Sequence, residues 1–225
     1  ICKSKNVLLS VDNTFMSPYG QRPLELGADI SMQSSTKSLS GHSDVLGGVL
    51  TTNDNELHER LQFMLKATGG VPSPFDNWIT LRSTKTLALR YQKATENAYE
   101  LANWLSLQKN IKKTIYPGLK SHPQYAIAKK QQLSPRGDVV FGAMLSIDVG
   151  DVKSRDKFLK KIEIFQLAES LGSVESLVCI PYFMTHAAVP DETKLEMGIT
   201  ESLIRLSIGI EDIDDLRSDL SSALF

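Results

Sequence analysis

With 225 residues, 41% of them hydrophobic, the chain can bury roughly 70 to 75% of its unfolded surface, in one large or two modest domains. Its 25 Lys and Arg against 26 Asp and Glu leave a net charge of −1, which argues against nucleic acid or an anionic membrane as partner and for a small molecule. Cys2 and Cys179 have no neighbour at metal spacing, and neither a bilayer-length apolar run nor a leader-like segment is visible, so a cytosolic protein is expected. The chain opens on Ile1, directly ahead of a strand-like run, which gives the expectation of a fragment.

Val7 to Val11 is an apolar run ending at Asp12, and Ala28 to Met32 is another ending near Ser34, with a brief helix over Pro23-Leu24-Glu25-Leu26-Gly27 between them. Strand, crossover, strand predicts a parallel, covered sheet, with Leu46 to Thr52 as a third strand. Ligands of such sheets bind outside the carboxyl ends of the strands, which puts Asp12 and the loop Ser34 to Lys37 in one crevice. Asn53 or Asp54 caps a helix with Leu57, Leu61, Met64 and Leu65 on one face, expected to be core, stopped by Gly69-Gly70. Ser73-Pro74 with Asp76 opens the next helix, and Tyr91, Ala94, Ala98, Leu101 and Leu105 keep the period. A long helix linking two α/β domains follows, with the boundary near Leu87, giving domains 1–87 and 88–225. Val139, Phe141, Ala143, Leu145 and Ile147 alternate as a half-buried strand, Phe158 to Ile162 fits a helix, and Asp214 to Leu224 a closing one. Ile204, Leu206, Ile208 and Ile210 alternate with Arg205 and Ser207, so the arginine points away from the buried face.

Hydroxyls crowd a single amine in Ser34-Ser35-Thr36-Lys37-Ser38, a setting suited to covalent capture of a phosphorylated aldehyde. An exposed, merely solvated lysine is the competing reading. Pyridoxal phosphate chemistry needs an amine, an anion at the ring nitrogen, donors for the phosphate and a cation for the substrate carboxylate. Lys37, Asp12, Ser34 with Thr36, and Arg205 supply one candidate each. Asp12 could equally make a local turn with Asn13 and Thr14, and Arg205 an exposed ion pair. Glu175-Ser176 sits among small and apolar residues, where a carboxylate has little reason to be unless it meets solvent or a ligand. His42 and His186 lack a spaced Asp or Ser partner and receive no proton-transfer role.

Val11-Asp12-Asn13-Thr14-Phe15-Met16-Ser17-Pro18-Tyr19, Ser34-x-Thr36-Lys37 with Gly41-His42-Ser43-Asp44, Gly70-Val71-Pro72-Ser73-Pro74, Tyr116-Pro117-Gly118-Leu119, Leu167-Ala168-Glu169-Ser170-Leu171-Gly172, Glu175-Ser176-Leu177, Met184-Thr185-His186 and Ile204 to Glu211 together resemble the cysteine/methionine-metabolism family of pyridoxal-phosphate enzymes, the trans-sulfuration enzymes. The resemblance spans essentially the whole chain. It implies an α/β, PLP-dependent transferase type I fold: part of the large parallel-sheet cofactor domain plus a smaller C-terminal α/β domain. It implies that Lys37 bears pyridoxal 5'-phosphate, Asp12 meets the ring nitrogen, Ser34 and Thr36 hold the phosphate, Arg205 with Ser176 takes the substrate carboxylate, Glu175 handles the distal amino group, and Thr185 contributes to substrate binding. The implied reaction is α,γ-elimination of cystathionine to cysteine, 2-oxobutanoate and ammonia; synthesis of cystathionine, or sulfhydrylation of a homoserine ester, is the alternative. The implied protein is a cytoplasmic homotetramer. Ser38 stands where the family has an aromatic residue and Ser35 where it has alanine. The family's upstream part, with its glycine-containing phosphate loop, is missing from this sequence, so this chain alone is expected to bind the cofactor poorly, and a non-catalytic oligomerising or scaffold remnant is the second alternative.

Overall fold

The computed structural model describes residues 1–225. Three short strands, β1 (Ser10–Asp12), β2 (Ile30–Ser34) and β3 (Gly48–Thr51), form the first sheet in the order β1-β2-β3. β1 and β2 are parallel, with Asp12 opposite Met32, so both end at the same edge. β3 is antiparallel to β2, which corrects the all-parallel expectation: the connection after β2 is a short reversal rather than a crossover. The covered-sheet expectation also fails, because β3 is exposed throughout and Val7 and Leu8, each 57% exposed, stand outside β1. Between β1 and β2 the helix is α1 (Ser17–Gly20), with Pro18 in its first turn. Pro23 to Gly27 forms turns instead, closed by Ala28 N–H donating to the Pro23 carbonyl at 3.0 Å, with Gly27 at φ +98°.

Helix α2 (Asn55–Thr68) begins where Asp54 accepts from Leu57 N–H at 2.9 Å and ends at Gly69, φ +70°. Its expected core face is covered only in part: Leu57 and Leu61 are half-buried, while Met64 and Leu65 are exposed, and none of the four is core. The single long helix expected after Ser73 is two, α3 (Pro74–Thr84) and α4 (Leu87–Leu105), parted at Lys85 and Thr86.

The second sheet, β4 (Lys113–Ile115), β5 (Met144–Asp148), β6 (Gln166–Leu167), β7 (Leu177–Cys179) and β8 (Leu203–Ser207), runs in the order β4-β5-β8-β7-β6. The alternating run from Val139 becomes a strand only at Met144, since Gly142 adopts φ +79°. Leu145, Ile147, Ile204 and Leu206 are 2% exposed or less and face α4, α6 (Val152–Lys161) and α8 (Ile213–Leu224), which add Leu101, Leu105, Phe158, Leu216 and Leu220 to one core. Each such side chain contributes about 1.5 to 3 kcal/mol by leaving water. α5 (Tyr125–Gln131) and α7 (Asp191–Glu196) lie in the connections. No helix is long and apolar enough to cross a membrane.

Candidate active site

β2 runs straight into one wide turn, Ser35–Leu39, in which Ser40 N–H reaches back to the Ser35 carbonyl at 3.0 Å. Lys37 alone in that turn is non-helical, φ −88° and ψ −134°. Its Nζ donates to Ser170 Oγ at 3.1 Å. Arg205, on the strand face away from the core, donates through one terminal nitrogen to the carbonyls of Glu169 at 2.8 Å and Ser170 at 3.2 Å. The two cations therefore flank one dipeptide. Burial first, and the Arg205 charge second, hold the Lys37 amine below the ordinary lysine range, which enlarges the share of neutral, nucleophilic amine.

One glycine lets the segments meet. A Cβ on Gly172, φ +78°, would stand 2.9 Å from the Ser38 nitrogen and 3.4 Å from Lys37 Cβ, so only glycine brings the 169–172 loop this close. Gly172 N–H donates to Ser207 Oγ at 2.9 Å, tying that loop to the end of β8. Thr36, Ser43, Asp44, Ser170 and Glu175 line one open cavity of about 520 Å³.

Asp12 is exposed at the end of β1, and one carboxylate oxygen accepts from Thr14 N–H at 3.0 Å, the local turn its position allowed. Thr14 Oγ1 in turn accepts from Ser34 N–H at 2.8 Å, so Asp12 and the Lys37 loop are joined through one threonine. From the parallel register, with Ser34 two residues beyond the partner of Asp12, their Cα atoms stand about 8 Å apart. The Ser34 hydroxyl makes no hydrogen bond within the chain, while Thr36 Oγ1 accepts from Gly47 N–H at 3.0 Å and donates over a long 3.4 Å to the Gly47 carbonyl, a contact a ligand oxygen can displace.

Ser176 is a correction. It is fully buried, its hydroxyl donating to Glu211 Oε2 at 2.8 Å and accepting from Gly209 N–H at 2.9 Å, and it has no route to a substrate. Ser170, by contrast, accepts from Lys37 Nζ and lies between it and Arg205. The dipeptide Glu-Ser occurs three times, at 169–170, 175–176 and 201–202, and only the first stands beside Lys37. The signal that picks it out is Gly172, two residues after Ser170, which permits close packing on the lysine turn. Glu175, half-buried, accepts from the Ser43 hydroxyl and remains on the cavity wall. Thr185 is exposed, 2.8 Å from His186 Nδ1, and bears on Cys179, whose strand position pairs with Arg205. His42 is bound to its own loop at the Ser40 carbonyl, 2.6 Å away.

The residues fit pyridoxal phosphate. Arg205 joins none of the ion pairs of the chain and keeps two nitrogens without partners, Ser34 keeps a free hydroxyl, and Asp12 keeps one free carboxylate oxygen. Fold and site together define an α/β protein with a partly desolvated lysine amine set beside an arginine that has no carboxylate partner. The chain belongs to the Cys/Met metabolism PLP-dependent enzyme family, whose model matches residues 1–225. It is 52% identical over 221 residues to a cystathionine gamma-lyase of Dictyostelium discoideum, covering 98% of this chain and 56% of that protein. It is 48% identical over 226 residues to a cystathionine beta-lyase of Coxiella burnetii, covering 100% and 57%. A cystathionine gamma synthase structure from Xanthomonas oryzae, in complex with cystathionine, superposes with TM-score 0.94 at 42% identity, covering 99% and 56%. The chain thus spans a little over half the length of the relatives it matches.

Proposed function

We propose that this chain carries the lysine-bearing part of a cystathionine γ-lyase, converting cystathionine and water to cysteine, 2-oxobutanoate and ammonia. The observation that carries the reading is the joint hold of Lys37 and Arg205 on residues 169–170. When bound, pyridoxal phosphate supplies a carbonyl that captures the amino acid and a ring that takes up the electrons left as Cα loses its proton. Lys37 Nζ would hold the cofactor and would carry the Cα and Cβ protons of the substrate. Ser34 and Thr36 would donate to the phosphate, and Asp12 would keep the ring nitrogen protonated. Arg205 takes the substrate carboxylate on its two unpartnered nitrogens, a charge-assisted pair worth about 1.5 to 3 kcal/mol, and so sets Cα against Nζ. Ser170 steadies the amine between turns of the reaction. Glu175, on the cavity wall, would receive the distal ammonium, with Thr185 contributing to substrate binding.

Relatives named for β-lyase and γ-synthase activity match nearly as well, so cleavage at Cβ or the reverse synthesis from an activated homoserine is the second reading. We further propose a boundary near Leu87 between cofactor and C-terminal domains, cytoplasmic location, and a homo-oligomer, the tetramer of the family. The exposed apolar side chains of α2 and α3, Phe63, Phe75, Trp78 and Leu81, support the assembly. Supplying L-cystathionine to the cofactor-loaded protein decides among the reactions. Equal cysteine and 2-oxobutanoate support the γ-lyase; homocysteine with pyruvate makes it a β-lyase; cystathionine formed only from cysteine and a homoserine ester makes it a synthase.

A further inference from the structure

Arg90, on α4, is 8% exposed and has no carboxylate partner. All its partners are neutral oxygens: NH1 donates to the Ser38 carbonyl at 2.8 Å, NH2 to the carbonyls of Leu39 at 3.2 Å and Ser83 at 2.9 Å, and Nε to Thr86 Oγ1 at 3.0 Å. An uncompensated buried cation is costly, and burial draws its pKa below the ordinary arginine value. Such a group persists where its geometry is needed. Two of the carbonyls it captures are those immediately after Lys37, in the turn that Lys37 breaks with ψ −134°. Only a planar fork with several donors spans such a set; an ammonium is a point charge. The neighbouring chain is shaped to admit it: a Cβ on Gly41, φ +71°, would stand 2.0 Å from Arg90 NH1.

We infer that Arg90 is a positioning residue, clamping the Ser38–Leu39 backbone to α4 and thereby fixing where the Lys37 amine stands against Ser170 and Arg205. The inference deepens the reading of Lys37 as the cofactor-bearing residue and rests on it. Its consequence is reach over a distance: α4 carries Ala98, Leu101 and Leu105 into the core of the second sheet, so the amine is referenced to that core through one guanidinium.

The test needs no activity. Purified chain without cofactor is pulsed with acetic anhydride across a pH series, and acetylation of the Lys37 peptide is read by mass spectrometry. In the native chain the midpoint lies below that of exposed lysines. In Arg90→Lys it climbs by about one unit, a roughly tenfold loss of neutral amine at fixed pH. Thr86→Val, which removes only the Nε partner, moves it the same way by less, and decides the matter where Arg90→Lys does not fold. Ile147→Val, a core change far from the turn, lowers the melting temperature and leaves the midpoint in place. A native midpoint in both Arg90→Lys and Thr86→Val overturns the inference, as does an equal move in Ile147→Val. Borohydride trapping of pyridoxal phosphate on the native chain separates the two readings. A label away from Lys37 removes the cofactor reading, while the midpoints still judge the clamp.

Discussion

The Glu-Ser pairs at 169–170 and 175–176 give opposite phenotypes when each serine becomes alanine. Ser176→Ala strands a buried Gly209 N–H and takes the hydroxyl donor from one oxygen of the half-buried Glu211 carboxylate. At about 1 to 3 kcal/mol for a stranded buried group, and more for a charged one, the change costs about 3 kcal/mol. A chain of this size loses about 2 to 4 °C of melting temperature per kcal/mol, so the midpoint falls by about 6 to 12 °C. Ser170→Ala removes one contact at a half-buried position and changes stability by no more than about 0.5 kcal/mol. It does remove the oxygen on which Lys37 rests, so Ser170→Ala alters cofactor retention and the KM for cystathionine at unchanged melting temperature. Thermal unfolding by circular dichroism and steady-state kinetics on both variants make the comparison. A Ser176→Ala protein with native stability and raised KM, beside a silent Ser170→Ala, would refute the assignment of Ser170 to the site and Ser176 to the core.

Three further outcomes are expected. The Lys37 amine has a folded-state pKa below its unfolded value, so the folded chain carries an unfavourable charge at neutral pH and is relieved of it as pH rises through that lowered value toward the ordinary lysine range. Lys37→Met is therefore more stable than the native chain at neutral pH, with the advantage shrinking on alkaline titration; melting curves across that range show it. Gly172→Ala forces a Cβ onto the Ser38 nitrogen in a left-handed backbone position, and costs about 1 to 3 kcal/mol together with loss of cofactor trapping, measured by denaturant unfolding and absorbance. Asp219→Ala strands the N–H groups of Glu163 and Ile164, which its carboxylate accepts at 2.8 and 2.9 Å, and lowers stability by about 2 to 4 kcal/mol without touching cofactor binding.

Periodic segments were legible where burial enforces the period. Ile204, Leu206 and Ile208, and Leu216 and Leu220, are all fully buried as their spacing requires. Pattern failed where a local backbone event interrupts it: Gly142 delays β5, and the Lys85-Thr86 break divides the long helix. It failed again on α2, whose amphipathic face is half-buried at Leu57 and Leu61 and exposed at Met64 and Leu65. Residue chemistry at strand ends singles out Lys37 and Arg205, and the two converge on the carbonyls and hydroxyl of residues 169–170. Ser170 was hidden by a dipeptide that occurs three times. Arg90 was hidden because a helical arginine among apolar neighbours gives no sign that its partners are carbonyls fifty residues upstream.

The central claim is that Lys37 bears the cofactor in a pocket organised by Arg205. Incubation with pyridoxal phosphate, reduction with borohydride and peptide mapping test it directly. With pyridoxal phosphate in excess over a chain that binds it weakly, one reduced pyridoxyl label is expected, on the peptide containing Lys37, with loading weakened in Arg205→Ala and abolished in Lys37→Ala. A label distributed over surface lysines, or one that persists undiminished in Lys37→Ala, contradicts it.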